Sequence, residues 1–398
     1  MRRVVEAGVP EGQGARIMTT GPRKGQERSP TARPGRPRAH GINLERTPVS
    51  LTLIRPDDWH VHLRDEALLR AVLPDTVRRF ARAIVMPNLK SPVRTVAEAR
   101  AYRERILAAR PAGSAFEPLM TLYLTDNTPV AEIERARASG FVHGVKYYPA
   151  GATTHSDFGV TDIGRCDDAL AAMEALSLPL LVHGEVTDPA VDVFDREAVF
   201  IDRILQKVVA RFPRLKIVLE HVTTRDGVEF VVAAPATVAA TLTAHHLLLN
   251  RNAMFHGGIR PHAYCLPVLK RERHREALVA AAISGSPKFF LGTDSAPHAR
   301  RTKEAVCGCA GVYTAHAGIE LYAEVFRVAG ALARLEGFAS LHGPAFYGLA
   351  ANRERITLIE ESWPVVSEID LAPAGMDDTL VPFRAGESVG FRIAEAGV

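Results

Sequence analysis

RPDDWHVHLRDE, residues 55–66, carries His60, His62 and Arg64 at alternate positions. Alternate side chains of a β-strand point to one face. Read as a strand, the run aims two imidazoles and a guanidinium at the same place, and the rest of the sequence decides what that place is.

The run belongs to a longer strand candidate, SLTLIRPDDWHVHLR (50–64), and seven similar candidates follow. They are RAIVMPN (82–88), EPLMTLYLT (117–125), GVKYYP (144–149), PLLVHGEV (179–186), KIVLEHV (216–222), ATVAATLTAHHLLL (236–249) and KFFLGTDSAP (288–297). Segments of helical type lie between them, among them residues 95–110, 129–140, 167–177, 196–212 and 274–285. Strand and helix in alternation predict a parallel sheet. Eight repeats predict an α/β protein of the (β/α)8 TIM-barrel type rather than an open doubly wound sheet. No glycine-rich phosphate-binding motif follows the first strand, which argues against a nucleotide-binding fold.

The unusual polar residues fall at the ends of these candidates. His60 and His62 end the first, Asn88 the second, His183 the fifth, His221 the sixth and Asp294 the eighth, while Lys146 lies in the fourth. Barrel enzymes build their active sites at the C-terminal ends of the strands. Four histidines and an aspartate converging there form a donor set for zinc or a similar divalent ion. Lys146 is out of place in such a set, because an ammonium beside a dication is repelled. Reaction with CO2 would turn it into a carbamate, an anionic oxygen ligand able to bridge two metals.

The whole chain sets the limits. Of 398 residues, 47% are hydrophobic and 24% charged, as in soluble globular proteins. The formal charge of +4 is local: residues 1–46 hold ten Lys/Arg and four Glu, leaving 39 basic against 41 acidic residues elsewhere. The body offers no basic surface for nucleic acid. Residues 1–48, rich in Pro, Gly and Arg, have too few apolar residues to offset ordering entropy. They are expected to be a disordered basic extension, or an over-called start with Met18 as the alternative; an organelle-targeting peptide fits less well, since serine is sparse and no amphipathic helix is evident. Residues 49–398 are expected to form the catalytic barrel, with a short C-terminal segment packed on it. No hydrophobic stretch suits a secretion signal or membrane span. Four cysteines do not make a disulfide framework, which points to a reducing, cytoplasmic setting, and CGC (307–309) has the wrong spacing for a zinc ribbon or redox motif.

DDWHVHLRD, VMPN, GVKYYPAGATT, LLVHGE, LEHVTT and LGTDSAPH, with GGIRPHAYCLP and the terminal DDTLVPFRAGE, resemble the amidohydrolase superfamily. Within it they are similar to the dihydroorotase family of the stand-alone bacterial type, over roughly residues 50–395. The resemblance implies a barrel with two zinc ions and reversible cyclisation of N-carbamoyl-L-aspartate to L-dihydroorotate, in pyrimidine (UMP) biosynthesis. It implies that His60, His62 and Asp294 bind one metal, that His183 and His221 bind the other, and that Lys146, as N6-carboxylysine, bridges them. A bridging hydroxide would attack the ring amide, and Asp294 would be the catalytic base and then acid. Arg64, Asn88 and His298 would hold the substrate carboxylate, and backbone groups near Leu266 and Ala310 would read the amide edge. Thr153 and Thr154 would sit on a mobile loop that reaches the substrate. The family suggests a homodimer.

Tyr147 and His155 depart from the expected pattern without touching the chemistry. His245, His246, His256 and His262 are left out of the metal set. The competing readings are a hydantoinase or allantoinase, which share the metal ligands but need no carboxylate pocket, a metal-dependent deaminase, which needs no bridging lysine, and a catalytically inactive relative, which would have lost ligands.

Overall fold

The structure is a computed structural model that describes residues 49–394 apart from Cys307. The expectations for residues 1–48, and the part of CGC that rests on Cys307, lie outside the described residues.

The first strand candidate divides in two. Ser50–Ile54 (β1) and Asp58–Val61 (β2) are separate strands, joined through Pro56. Proline has no N–H to give to a ladder, so one sheet cannot continue through it. The connection is fixed instead by Arg82, whose Nε and Nη2 donate to the buried Asp57 carboxylate at 3.0 and 2.6 Å, and by Asn352, which donates to it at 2.8 Å. β1 pairs antiparallel with Arg355–Ile359 (named β10 below), and Arg392–Ile393 pairs along that strand's other edge.

β2 opens an eight-stranded parallel sheet. Its other members are Arg82–Val85 (β3), Glu117–Tyr123 (β4), Val142–Tyr147 (β5), Leu180–Val182 (β6), Ile217–Leu219 (β7), Val238–Leu242 (β8) and Phe289–Leu291 (β9), with Arg355–Ile359 as β10 outside the barrel. Each lies inside one of the predicted candidates except β5, which starts two residues before GVKYYP, and neighbours in sequence are neighbours in the sheet. The two ends meet beyond β2 and β9: Asp294 N donates to His60 O at 2.8 Å and His62 N to Ser295 O at 3.0 Å. The predicted (β/α)8 barrel is therefore present.

The lumen is filled rather than open. Trp59, Ile84, Met86, Leu119, Leu181, Val218, Ala239 and Phe290 form one buried cluster. Trp59 stacks on Tyr347 with ring centroids 4.5 Å apart. Gly343 makes that approach feasible, since a Cβ there would fall 1.9 Å from the Trp59 indole nitrogen. Full burial of such a side chain contributes about 1.5–3 kcal/mol. The larger apolar cluster lies between the strands and the surrounding helices. Helices form where the sequence places them, including Val96–Ala109, opened by a Thr95–Glu98 capping box. This packing leaves the strand ends as the place for polar groups.

Candidate active site

The strands deliver their donors by different routes. Lys146 lies within β5, His183 directly follows β6, and His221 and Asp294 stand two and three residues beyond β7 and β9. His221 and Asp294 have φ of 43° and 44°, in the left-handed region. Non-glycine residues there cost of order 1 kcal/mol or more and persist where their surroundings hold them. Arg64 also has φ 58°. Since β2 ends at Val61, strand alternation does not carry Arg64 to the site as the sequence reading assumed; a left-handed turn does. The turn is secured by Tyr102, whose hydroxyl donates to Arg64 O.

The donors converge. His60 Nε2 and His62 Nε2 are 3.2 Å apart. Asp294 Oδ1 lies 3.3 Å from the first and 3.1 Å from the second. Ligands about 2.0–2.1 Å from a tetrahedral divalent ion stand about 3.3 Å from one another, so this triad fits a metal. The His221 ring is 5.1 Å from His60 and 4.9 Å from His183, centroid to centroid. His221 Nδ1 is buried and has no protein partner, as a ligand would be before its metal. The side chains of His60, Lys146, His183 and His221 are almost wholly buried.

Two carboxylates orient these rings. His60 Nδ1 lies 2.8 Å from Glu220 Oε2, an ion-pair contact that turns Nε2 toward Asp294. His183 Nε2 donates to Glu185 Oε2 at 2.9 Å, leaving Nδ1. A carboxylate on the far nitrogen is the usual way to fix the tautomer of a metal-binding histidine. Glu220 also accepts from Lys146 Nζ. The sequence reading missed both glutamates, although each adjoins a ligand in a motif it singled out: Glu185 ends LLVHGE and Glu220 precedes His221.

Charge follows burial and pairing. Burial alone would raise the Asp294 carboxyl, but the His60 charge and hydrogen bonds from His60 and His62 hold it well below the ordinary range. Burial drives His62 down to about 3 and holds His221 well below its usual value, with Lys146 adding to the second effect. These imidazoles are therefore neutral at pH 7 and have the lone pairs a metal needs.

Around this centre lies a cleft lined by Arg64, Asn88, Thr153, Thr154, Leu266 and Ala310, together with the expected ligands except Lys146, which is beneath it, and by Tyr148 and Cys265. Arg64 Nε donates to Pro297 O at 3.0 Å, Nη2 donates to His298 Nε2 at 2.8 Å, and Nη1 is 3.5 Å from His62 Nδ1. Burial, then Arg64, lowers His298 to about 2, so it is neutral, and its Nε2 also lies 3.0 Å from Ala310 O. Asn88 Nδ2 donates to Thr154 O at 3.3 Å, which ties that side chain to the predicted loop.

The structure leaves the other histidines outside this set. Thr243 caps a short helix, Ala244–Leu248, where the sequence reading continued a strand. His246 bonds through Nδ1 to Thr243 Oγ1 at 2.7 Å and donates from Nε2 to Pro267 O at 3.0 Å. His245 is buried beside it, and its donor atoms, with those of His246 and Cys265, lie within 4.8 Å of one another. His262 bonds to Glu304 at the surface, at 3.0 Å.

Comparison with known proteins agrees with this geometry. Residues 49–367 match the amidohydrolase family. The dihydroorotase of Methylobacillus flagellatus is 66% identical over 346 residues, covering 87% of this chain and 99% of that protein. The crystal structure of dihydroorotase from Campylobacter jejuni superposes with a TM-score of 0.80 at 36% identity, covering 89% of this chain and 100% of that one. Dihydroorotase from Saccharomyces cerevisiae, solved in complex with 5-fluoroorotic acid, gives 0.79 at 33% identity, over 87% and 98%. With a barrel and a sequence of one kind, the chain belongs to the amidohydrolase family and, within it, to the dihydroorotases.

Proposed function

We propose that the chain is a zinc-dependent enzyme that interconverts N-carbamoyl-L-aspartate and L-dihydroorotate plus water, as a step of pyrimidine biosynthesis. The observation that carries this reading is Arg64, which lines the same cleft as the His60–His62–Asp294 triad and is backed by His298, itself outside the lining. A guanidinium there matches a carboxylate, which dihydroorotate has and simple hydantoins lack. The close identity to dihydroorotases supports it.

His60, His62 and Asp294 would hold one zinc ion, His183 and His221 a second, and Lys146, as its carbamate, both. Such ions polarise a carbonyl and make hydroxide accessible near neutral pH. Asp294 takes the proton of the attacking water and delivers it to the leaving ring nitrogen, acting first as base and then as acid. Glu220 and Glu185 keep His60 and His183 turned toward the centre. Arg64, Asn88 and His298 anchor the carboxylate, while the backbone at Leu266 and Ala310 reads the amide edge. Thr153 and Thr154 close over the substrate and exclude water. In the synthetic direction these proton transfers reverse. The family resemblance supports a homodimer working in the cytoplasm, and among the described residues no helix is long and apolar enough to cross a membrane.

The test is turnover of dihydroorotate against hydantoin and allantoin by the purified chain, with metal content measured on the same sample. Preference for a substrate without a carboxylate would overturn the reading.

A further inference from the structure

Lys303 is a buried lysine outside the ligand set, at the end of the short helix Arg300–Lys303. Its Nζ donates to three backbone carbonyls: Tyr264 O at 2.8 Å, Cys309 O at 2.8 Å and Gly311 O at 2.7 Å. An ammonium has three N–H groups, so all are used. These carbonyls belong to two separate segments. One leads directly into Cys265 and Leu266, and the other brackets Ala310; all three residues line the cleft. Gly311 N donates to the same Tyr264 carbonyl at 3.0 Å, which laces the segments a second time. Gly311 has φ 149°, and a Cβ there would meet Ala296 O at 2.5 Å, so the backbone has little freedom of its own.

We infer that Lys303 is a positioning residue for substrate binding: its ammonium clamps the Leu266 and Ala310 segments at the separation needed to read the amide edge of the substrate. This rests on the functional reading above. Lys303 lines no part of the cleft and acts only through the backbone it holds. A neutral amine keeps two N–H groups and turns a lone pair toward one carbonyl, so the clamp depends on the proton. Burial lowers the Lys303 pKa to about 8, with Arg64 adding to the fall and Cys265 and Cys309 opposing it. The other groups facing it are the Tyr264 ring, 5.7 Å from Nζ, and the neutral His245 and His298.

The experiment measures KM and kcat for dihydroorotate from pH 6.5 to 9.5 in the wild-type chain, Lys303→Met and Lys303→Arg, with melting temperature and metal content recorded. In the wild type, KM is expected to rise severalfold above pH 8. Lys303→Met should raise KM about tenfold or more at pH 7 while kcat changes less than about threefold, and should lose the alkaline rise. Lys303→Arg should behave similarly, since a planar fork cannot serve three carbonyls gathered around one point. Wild-type KM in the variants, a parallel fall of kcat and 1/KM, or an alkaline rise retained in Lys303→Met would overturn the clamp. If Lys303→Met does not fold, a KM–pH curve that is flat in the wild type or unchanged in Lys303→Arg overturns it instead. Absence of any dihydroorotate turnover by the wild type would refute the functional reading, which is a different result.

Discussion

Replacing Arg64 by lysine keeps the charge and removes the geometry. Arg64 spends Nε on Pro297 O and one Nη2 proton on His298. Nη1 also contacts His62 Nδ1 at 3.5 Å, so of the five N–H groups of a guanidinium two remain for a substrate. Lysine has three in all, on one atom, and cannot serve Pro297, His298 and a substrate carboxylate together. Loss of one charge-assisted hydrogen bond to the substrate costs about 1.5–3 kcal/mol. At 1.36 kcal/mol per tenfold, kcat/KM should fall about 10- to 150-fold, chiefly through KM. Pro297 O is left unpaired, a cost of about 1–3 kcal/mol. With unfolding entropy near 2.1 cal/mol/K per residue, about 350 folded residues should lose about 1.5–4 °C in melting temperature. Steady-state kinetics on dihydroorotate and a thermal melt measure both effects, and metal content should stay normal because Arg64 is not a donor. A kcat/KM within threefold of wild type would remove Arg64 from the carboxylate site.

Three further outcomes are expected. Chelation should remove about two zinc ions per chain together with activity; an active metal-free sample would refute the metal reading. Lys146→Ala should lose at least one metal and nearly all activity, with partial rescue by a small carboxylic acid, while Lys146→Arg should do no better; mass measurement under CO2 that finds an unmodified Lys146 in active, metal-loaded protein would refute the carbamate. His316 is buried, and burial, with Arg79, lowers it to about 3. Between that value and the unfolded value near 6.5 the unfolded chain binds a proton that the native chain does not, so stability falls as pH drops below 6.5. At pH 5 the loss is about 2 kcal/mol, and His316→Gln should flatten this acid limb of melting temperature against pH; an unchanged slope would refute the assignment.

Much of the site was readable because its chemistry is carried by residue types that stand out against apolar strands. His60, His183, His221 and Asp294 each close or follow a short hydrophobic run, and that pattern gives both the barrel and its mouth. What depends on backbone detail was not readable. The split at Pro56 sends β1 to another sheet, although SLTLIRPDDWHVHLR looks continuous. The left-handed turn at Arg64 leaves no periodic trace. Glu220 and Glu185 look like ordinary charged neighbours until the fold points them at His60 and His183. Lys303 lies in an unremarkable basic stretch, HARRTKE, and its contacts join carbonyls of two segments distant in sequence, at Tyr264 and at Cys309 and Gly311.

The sheet formed by β1, β10 and Arg392–Ile393 has a consequence for chain connectivity. Leu51 and Ile393 flank the same residue, Leu358, on opposite sides. Two strand spacings are about 10 Å. The beginning and end of the described barrel are thus neighbours, and a Gly/Ser linker of about five residues between residues 394 and 49 would span the gap. The chain can then be reopened elsewhere. Gly285 lies in an exposed turn that leads into β9, at the end of the strand opposite the active site. A circular permutant starting at Ser286 should fold with the same eight-stranded order and retain dihydroorotate turnover within about tenfold. Loss of the fold in that permutant would mean that barrel closure needs the native order of synthesis as well as the proximity of its ends.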